Sequence, residues 1–186
     1  MYKESWDDMK ATGVVRRIDD LGRIVIPKEL RRTLRIRDGE SLEIFVDEDF
    51  VALKKYSPLS DMEGLAKTLV DSIYASINKN VIVTDRDKII ACAGNSAIKK
   101  KYMDKNISDT LLDVMNSRNI AFENSLSKIS IIKSQEDEYI YYVCPIIMNG
   151  DALGVVLLFT NEKNISDSDK KIIQLAAQIL GKHIEE

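Results

Sequence analysis

The 186-residue chain holds only two cysteines, three prolines, one histidine and one tryptophan, and each scarcity excludes something. Cys92 and Cys144 cannot set up a disulfide framework, so the expected compartment is the cytoplasm. His183 has only Glu185 and Glu186 beside it, which argues against a metal centre and against histidine-based acid–base catalysis. No stretch approaches the ~20 continuous apolar residues of a membrane span. The first residues lack the basic end, apolar run and cleavage site of a secretory signal. Residues 1–8, MYKESWDD, carry no apolar periodicity and read as a flexible extension containing the only tryptophan, Trp6.

What the chain does have is charge, unevenly placed. Its 27 basic and 30 acidic residues give a net charge of −3. Yet residues 10–37 hold nine basic side chains (Lys10, Arg16, Arg17, Arg23, Lys28, Arg31, Arg32, Arg35 and Arg37) against three acids. That local excess is the footprint of a surface that meets phosphates. A solvated face would also be charged; the difference here is the interleaving with Val14, Ile18, Ile24 and Ile26. This pattern places the basic residues on two short strands joined by the turn Asp19-Asp20-Leu21-Gly22. Pro27 then opens a short helix with Leu30 and Leu34 as its apolar stripe, from which Arg31 and Arg32 project. After the turn Asp38-Gly39, residues 41–46 and 50–53 form a hairpin across the acidic tip Asp47-Glu48-Asp49. A unit this small, with few large apolar side chains, needs a second copy to complete its core. Dimerisation would also double the basic surface.

The run ATGVVRRIDDLGRIVIPKELRRTLRI, with the closing LEIF…LKKY hairpin, resembles the DNA-binding domain of the AbrB family of transition-state regulators. The resemblance implies a swapped-hairpin β-barrel built as an intertwined dimer, with DNA contacts from Lys10, Arg16, Arg17, Arg23, Arg31 and Arg32. It gives no role to Arg35 or Arg37. It also implies double-stranded, A·T-rich promoter DNA as the partner, read largely through shape and deformability. Arginine suits such work because its planar fork pairs with phosphate or with a guanine edge.

A boundary is expected at Tyr56-Ser57-Pro58, making residues 9–56 one domain and 57–186 another. The second holds 15 basic and 18 acidic residues and is long enough for its own core. Apolar spacing predicts a helix over 59–77, strands over 80–84 and 88–93 around Asp85-Arg86-Asp87, and a helix over 108–117. Further strands are expected over 129–133, 139–148 and 152–159, the last two joined by Asn149-Gly150. A capping box from Ser166 to Asp169 opens a final helix with Ile172, Ile173, Ala176, Ile179, Leu180 and Ile184 along one side. Lys99-Lys100-Lys101 reads as a solvated loop. The fold class is therefore α+β, and the order of elements resembles a GAF domain, an antiparallel sheet flanked by helices on one side. In such domains a pocket lies between sheet and covering loops, here residues 91–105 and 110–122. The Asn-Lys-x-x-x-Phe-Asp-Glu motif of cyclic-nucleotide-binding members is absent, and no cluster names a cofactor or ligand. Cys92 and Cys144 read as inert core.

Taken together, residues 9–186 are similar to the sporulation regulators that join an AbrB-like head to a GAF domain. The resemblance implies activation and repression of late, forespore genes by a homotetramer, with DNA-binding dimers joined through the terminal helices of their GAF domains. The apolar faces of 59–77 and 172–184 suit a four-helix contact. It leaves room for an unidentified small-molecule ligand in the GAF domain. Two other classes compete. A MazE-type antitoxin shares the swapped-hairpin fold, but usually carries a disordered toxin-binding tail where this chain has a folded domain. A GAF-type methionine sulfoxide reductase needs a resolving thiol near a nucleophilic one, and cysteines on separate strands make poor candidates. The expectation is a DNA-associated protein without enzymatic activity.

Overall fold

The computed structural model describes residues 12–47, 50–162 and 164–183, and the chain divides into two compact units between Tyr56 and Ser57. The expectations for residues 1–8, Lys10, the hairpin tip Glu48-Asp49 and Ile184 lie outside the described residues.

In the first unit, the strands expected around Val14 to Ile18 and Ile24 to Ile26 form no ladder among the described residues. The turn between them is closed by backbone hydrogen bonds, Asp19 N–H donating to the Arg23 carbonyl at 3.1 Å and Gly22 N–H to the Asp19 carbonyl at 3.0 Å. Among the described residues of this unit the strands are β1 (Leu42–Asp47) and β2 (Phe50–Lys55), which pair with each other. Buried Pro27 leads into α1 (Lys28–Thr33). The helix ends as Arg35 N–H reaches the Arg32 carbonyl at 3.2 Å and Ile36 N–H the Arg31 carbonyl at 2.7 Å. The register sets Ile44 opposite Leu53 and Val46 opposite Val51. All four lie on one face of the ribbon and all are exposed, Val46 to 77%.

The second unit is a five-stranded antiparallel sheet in the order β4-β3-β7-β6-β5, built from β3 (Asn80–Thr84), β4 (Ile89–Ala93), β5 (Ala121–Ile129), β6 (Asp137–Met148) and β7 (Asp151–Thr160). Period-two alternation sorts its side chains into two cores. Val81, Val83, Tyr142, Ile146, Val156 and Leu158 face α2 (Glu63–Ile77) and α5 (Asp167–His183). Ile82, Val143, Val155, Leu157 and Phe159 face α3 (Ser96–Tyr102) and α4 (Asp109–Ser117). Helices therefore cover both faces of the sheet, not one. That double coverage is why β3 and β4 are apolar almost throughout.

Other differences have local causes. The helix expected from residue 59 begins as a 3-10 turn, Ser60–Met62, before α2. Lys99, Lys100 and Lys101 lie on α3, whose start is capped by the Asn95 side chain accepting from Ile98 N–H at 2.9 Å. The strand expected over 129–133 is β5, earlier in the chain; its outer positions 123–126 are exposed and its register shifts between Glu123 and Ser127. The Asn149-Gly150 turn forms with φ of 49° and 87°, as a two-residue hairpin loop requires. The capping box forms as well: Asp169 N–H donates to Ser166 Oγ at 3.2 Å, and Ser166 N–H to Asp169 Oδ2 at 2.8 Å.

Candidate nucleic-acid interface

Basic side chains of the first unit fall into two groups by what already holds them. Arg23 belongs to a closed turn. Asp19 Oδ1 accepts from Leu21 N–H at 3.0 Å and Arg23 N–H at 2.8 Å, while its Oδ2 takes the Arg23 Nε–H at 2.8 Å. Hydrogen bonds from the Arg23 backbone and then its side chain hold the Asp19 carboxyl below its ordinary value. Gly22, at φ 75°, lets the turn close without a Cβ in the left-handed region. Arg23 is thereby pre-oriented yet remains 70% exposed.

Arg31 departs from the expectation of full exposure. Its side chain is 36% exposed, Nη1 is paired with the Asp38 carboxylate, and Nε is buried without a partner among the described residues. The apolar stripe of so short a helix leaves its arginine stem partly against the unit, which composition alone did not reveal. Arg16, Arg17 and Arg32 are exposed, and among the described residues no acid pairs with them; Arg16 Nη1 donates to the Val15 carbonyl at 3.3 Å. Lys10 lies outside the described residues. Arg31 and Arg32 are adjacent on α1, and Arg23 crowns the turn that precedes it. The candidate set thus has Arg23 on a hydrogen-bonded turn and Arg31 and Arg32 on α1, with Arg16 and Arg17 on backbone outside any helix or strand; acids anchor Arg23 and Arg31.

In the second unit, two of the three consecutive lysines are already engaged by acids. Lys101 Nζ pairs with Asp137 at 2.6 Å and lies 5.0 Å from the Tyr102 ring, and Lys99 faces Asp71 at 3.6 Å. The segments where a ligand pocket was expected hold α3 and α4, packed on the sheet. Between them Tyr102 and Tyr139 stack edge-on against Phe159 at 5.5 and 4.8 Å. The Tyr102 hydroxyl donates to Asp137 Oδ2 at 2.8 Å, and burial drives its acidity far down. A cleft of about 450 Å³ opens instead on the α5 face, bordered by Arg118, Ile120, Cys144, Ile147, Gln174 and Gln178. Burial pushes both thiols up to about 11, and Cys92 and Cys144 sit in different cores. Neither is a thiolate near neutral pH, as a nucleophile would have to be. Among the described residues no group of His, Cys, Asp and Glu is gathered as a metal ion requires, and no helix is long and apolar enough to cross a membrane.

Known proteins resemble each unit separately and the chain as a whole. The family model "Stage V sporulation protein T C-terminal, transcription factor" matches residues 61–185, and that of the MazE bacterial antitoxin, "Antidote-toxin recognition MazE", matches residues 15–61. The transition state regulatory protein AbrB of Bacillus subtilis (strain 168) is 60% identical over 50 residues, 27% of this chain and 52% of that one. The sheet-and-helix body resembles a GAF domain/HD domain protein from Geobacter sulfurreducens, with TM-score 0.52 and 14% identity over 71% of this chain and 99% of that one. It also resembles residues 122 to 287 of a methyl-accepting chemotaxis protein, with TM-score 0.55 and 14% identity over 68% and 90%. These two likenesses establish the fold of the body.

An AbrB-like DNA-binding head followed by a GAF-like body defines the class, a transcription regulator and not an enzyme. The chain belongs to the stage V sporulation protein T family. The Bacillus subtilis (strain 168) member is 46% identical over 180 residues, 96% of this chain and 100% of that protein. A match along both units favours this family over the antitoxins, whose model reaches only the head.

Proposed function

We propose that this protein regulates late, forespore sporulation genes in the cytoplasm, as activator and repressor, by binding A·T-rich promoter DNA through Arg16, Arg17, Arg23, Arg31, Arg32 and Lys10. The observation that carries the reading is the likeness along both units to a sporulation regulator, joined to arginines of which Arg23 is held on a closed turn and Arg31 and Arg32 on a helix. Residues 9–56 act as the DNA-binding domain and 57–186 as the sensory and oligomerisation domain. The head works as an intertwined dimer: the exposed face of Ile44, Val46, Val51 and Leu53, with exposed Val15, Ile18 and Val25, is more apolar surface than a two-stranded ribbon can leave in water. Interlaced chains would bury that face and supply the ladder that residues 12–26 lack. Pairs of heads are held in a homotetramer by their GAF-like bodies, and a small molecule acting on the body would do so by favouring one arrangement of the heads.

Fluorescence-anisotropy titration of A·T-rich duplex DNA with the full chain, across a salt series, tests the reading. If a dimer neutralises roughly 6–8 phosphates, log K falls with log salt at about 0.9 per contact. Absence of binding at low salt overturns it and returns the basic stretch to a solvated face.

A further inference from the structure

Arg35 has no assigned role, and its backbone is in the wrong conformation for an arginine. It sits one position past the C-cap of α1 at φ 55°, the left-handed position that helices normally end on with glycine or asparagine. A Cβ there is held close to the following carbonyl oxygen. The two closing hydrogen bonds, Arg35 N–H to the Arg32 carbonyl and Ile36 N–H to the Arg31 carbonyl, are backbone bonds that glycine would make equally well. Nothing in the turn therefore calls for a side chain.

Arg118 offers an internal comparison. It caps α4 at φ 57° and its guanidinium meets the Asp151 carboxylate at 3.0 Å, so a contact within the fold accounts for it. Arg35 is exposed and, among the described residues, no acid pairs with it. It follows Arg31 and Arg32 by four and three positions, extending the basic run past the helix end. We propose that Arg35 is a further DNA contact, a phosphate-binding arginine kept in a conformation that costs folding stability because its guanidinium extends the positive surface beyond α1. The ligand is the phosphate backbone and not a base edge: an unpaired cation on a turn lacks the second anchoring contact that base reading needs, and phosphate contacts position a protein without carrying sequence information. This assignment rests on the DNA-binding reading above.

The test compares the full chain with R35G and R35K by urea denaturation and by anisotropy on A·T-rich and random-sequence duplexes over a salt series. R35G should raise the urea midpoint while binding both duplexes several-fold more weakly, with a salt slope shallower by about 1 per arginine removed. R35K, which keeps the charge, should retain most of the slope. If R35G binds with unchanged affinity and slope, the assignment is overturned and Arg35 only complements the helix-end carbonyls. A lowered urea midpoint in R35G overturns the premise of strain. Failure of the unmodified chain to bind DNA is a separate outcome, which overturns the DNA-binding reading itself.

Discussion

An arginine that already has an acid beside it meets DNA differently from one that does not. Arg23 is oriented by Asp19 before any ligand arrives, which lowers the ordering cost of binding, but in the proposed DNA contact the carboxylate would share it with a phosphate. Arg17 and Arg32 have no such competitor, and their alanine variants should lose affinity and salt slope while keeping the urea midpoint of the parent. R31A should lose affinity and also about 1 kcal/mol of stability, since a half-exposed pair and a packed stem disappear together; denaturation curves beside the titrations separate the two effects. Asp19 supplies a pH dependence of known sign. Its folded-state pKa is depressed, so the turn gains from it above the ordinary carboxylate range near 4 and loses that gain as pH falls through the lowered value. The protection factors of the turn's amides, taken relative to intrinsic exchange at each pH, should fall on acidification in the parent and stay flat over that range in D19N.

At the scale of elements, the junctions of the body carry its most exacting contacts. Lys79, just after α2, reaches Asp169 at the start of α5 at 2.6 Å, and both side chains are more than nine-tenths buried. Burial alone would push the Asp169 carboxyl up, but hydrogen bonds from Lys79 and Ser166, with the charge of Lys79, hold it below its ordinary value. The pair therefore stabilises the body above the ordinary carboxylate pKa and ceases to as pH falls through the lowered one. K79M leaves a buried carboxylate without its cation and should cost about 3–5 kcal/mol at neutral pH. The double variant K79M/D169N should cost less than the sum of the singles, as urea titration of all four proteins would show. Gly154 is equally exacting: a Cβ there would stand 1.9 Å from the Thr84 carbonyl oxygen and 2.8 Å from Leu59 Cδ1. G154A should destabilise the body by about 3 kcal/mol or more, the range of an overpacked core, read from its thermal midpoint.

These junctions also mark what the sequence could and could not reveal. The capping box, the Asn149-Gly150 turn and the apolar runs of β3, β4, β6 and β7 were legible because local chemistry and burial agree there. α3 was hidden because three consecutive lysines look like a loop until Asn95 is seen capping the helix and Asp71 and Asp137 are seen meeting two of them. β5 was hidden because an edge strand with exposed polar positions and a register shift has no clean period. In the head, charge marked the arginines, but no periodicity distinguishes Arg31, pinned to Asp38, from its open neighbour Arg32.

For the whole molecule, the proposed tetramer depends on what α5 leaves uncovered after packing on its own sheet. Ile173, Ala176, Ala177 and Leu180 are spent on the core, whereas Leu175 and Ile179, four residues apart, stay 56% and 38% exposed. Ile179 thus stands outside the core stripe in which helical spacing had placed it. An apolar i, i+4 pair on the outer surface of a terminal helix is suited to a helix–helix contact between bodies. A charge at its centre would have to be buried there without a partner, which that contact would not tolerate. L175E should accordingly leave the monomer fold intact, because the side chain is solvent-exposed, while lowering the mass of the proposed tetramer in sedimentation from four chains to two. The same variant should bind a duplex carrying a single site as the parent does, yet lose the extra affinity that the proposed tetramer would have on a duplex carrying two sites, since linking heads converts the second binding event into an intramolecular one. If L175E keeps both its mass and its two-site affinity, this face of α5 does not join the bodies. If its mass falls while two-site affinity is unchanged, the tetramer contributes nothing to DNA occupancy, and the body's part in regulation has to be sought in what it binds.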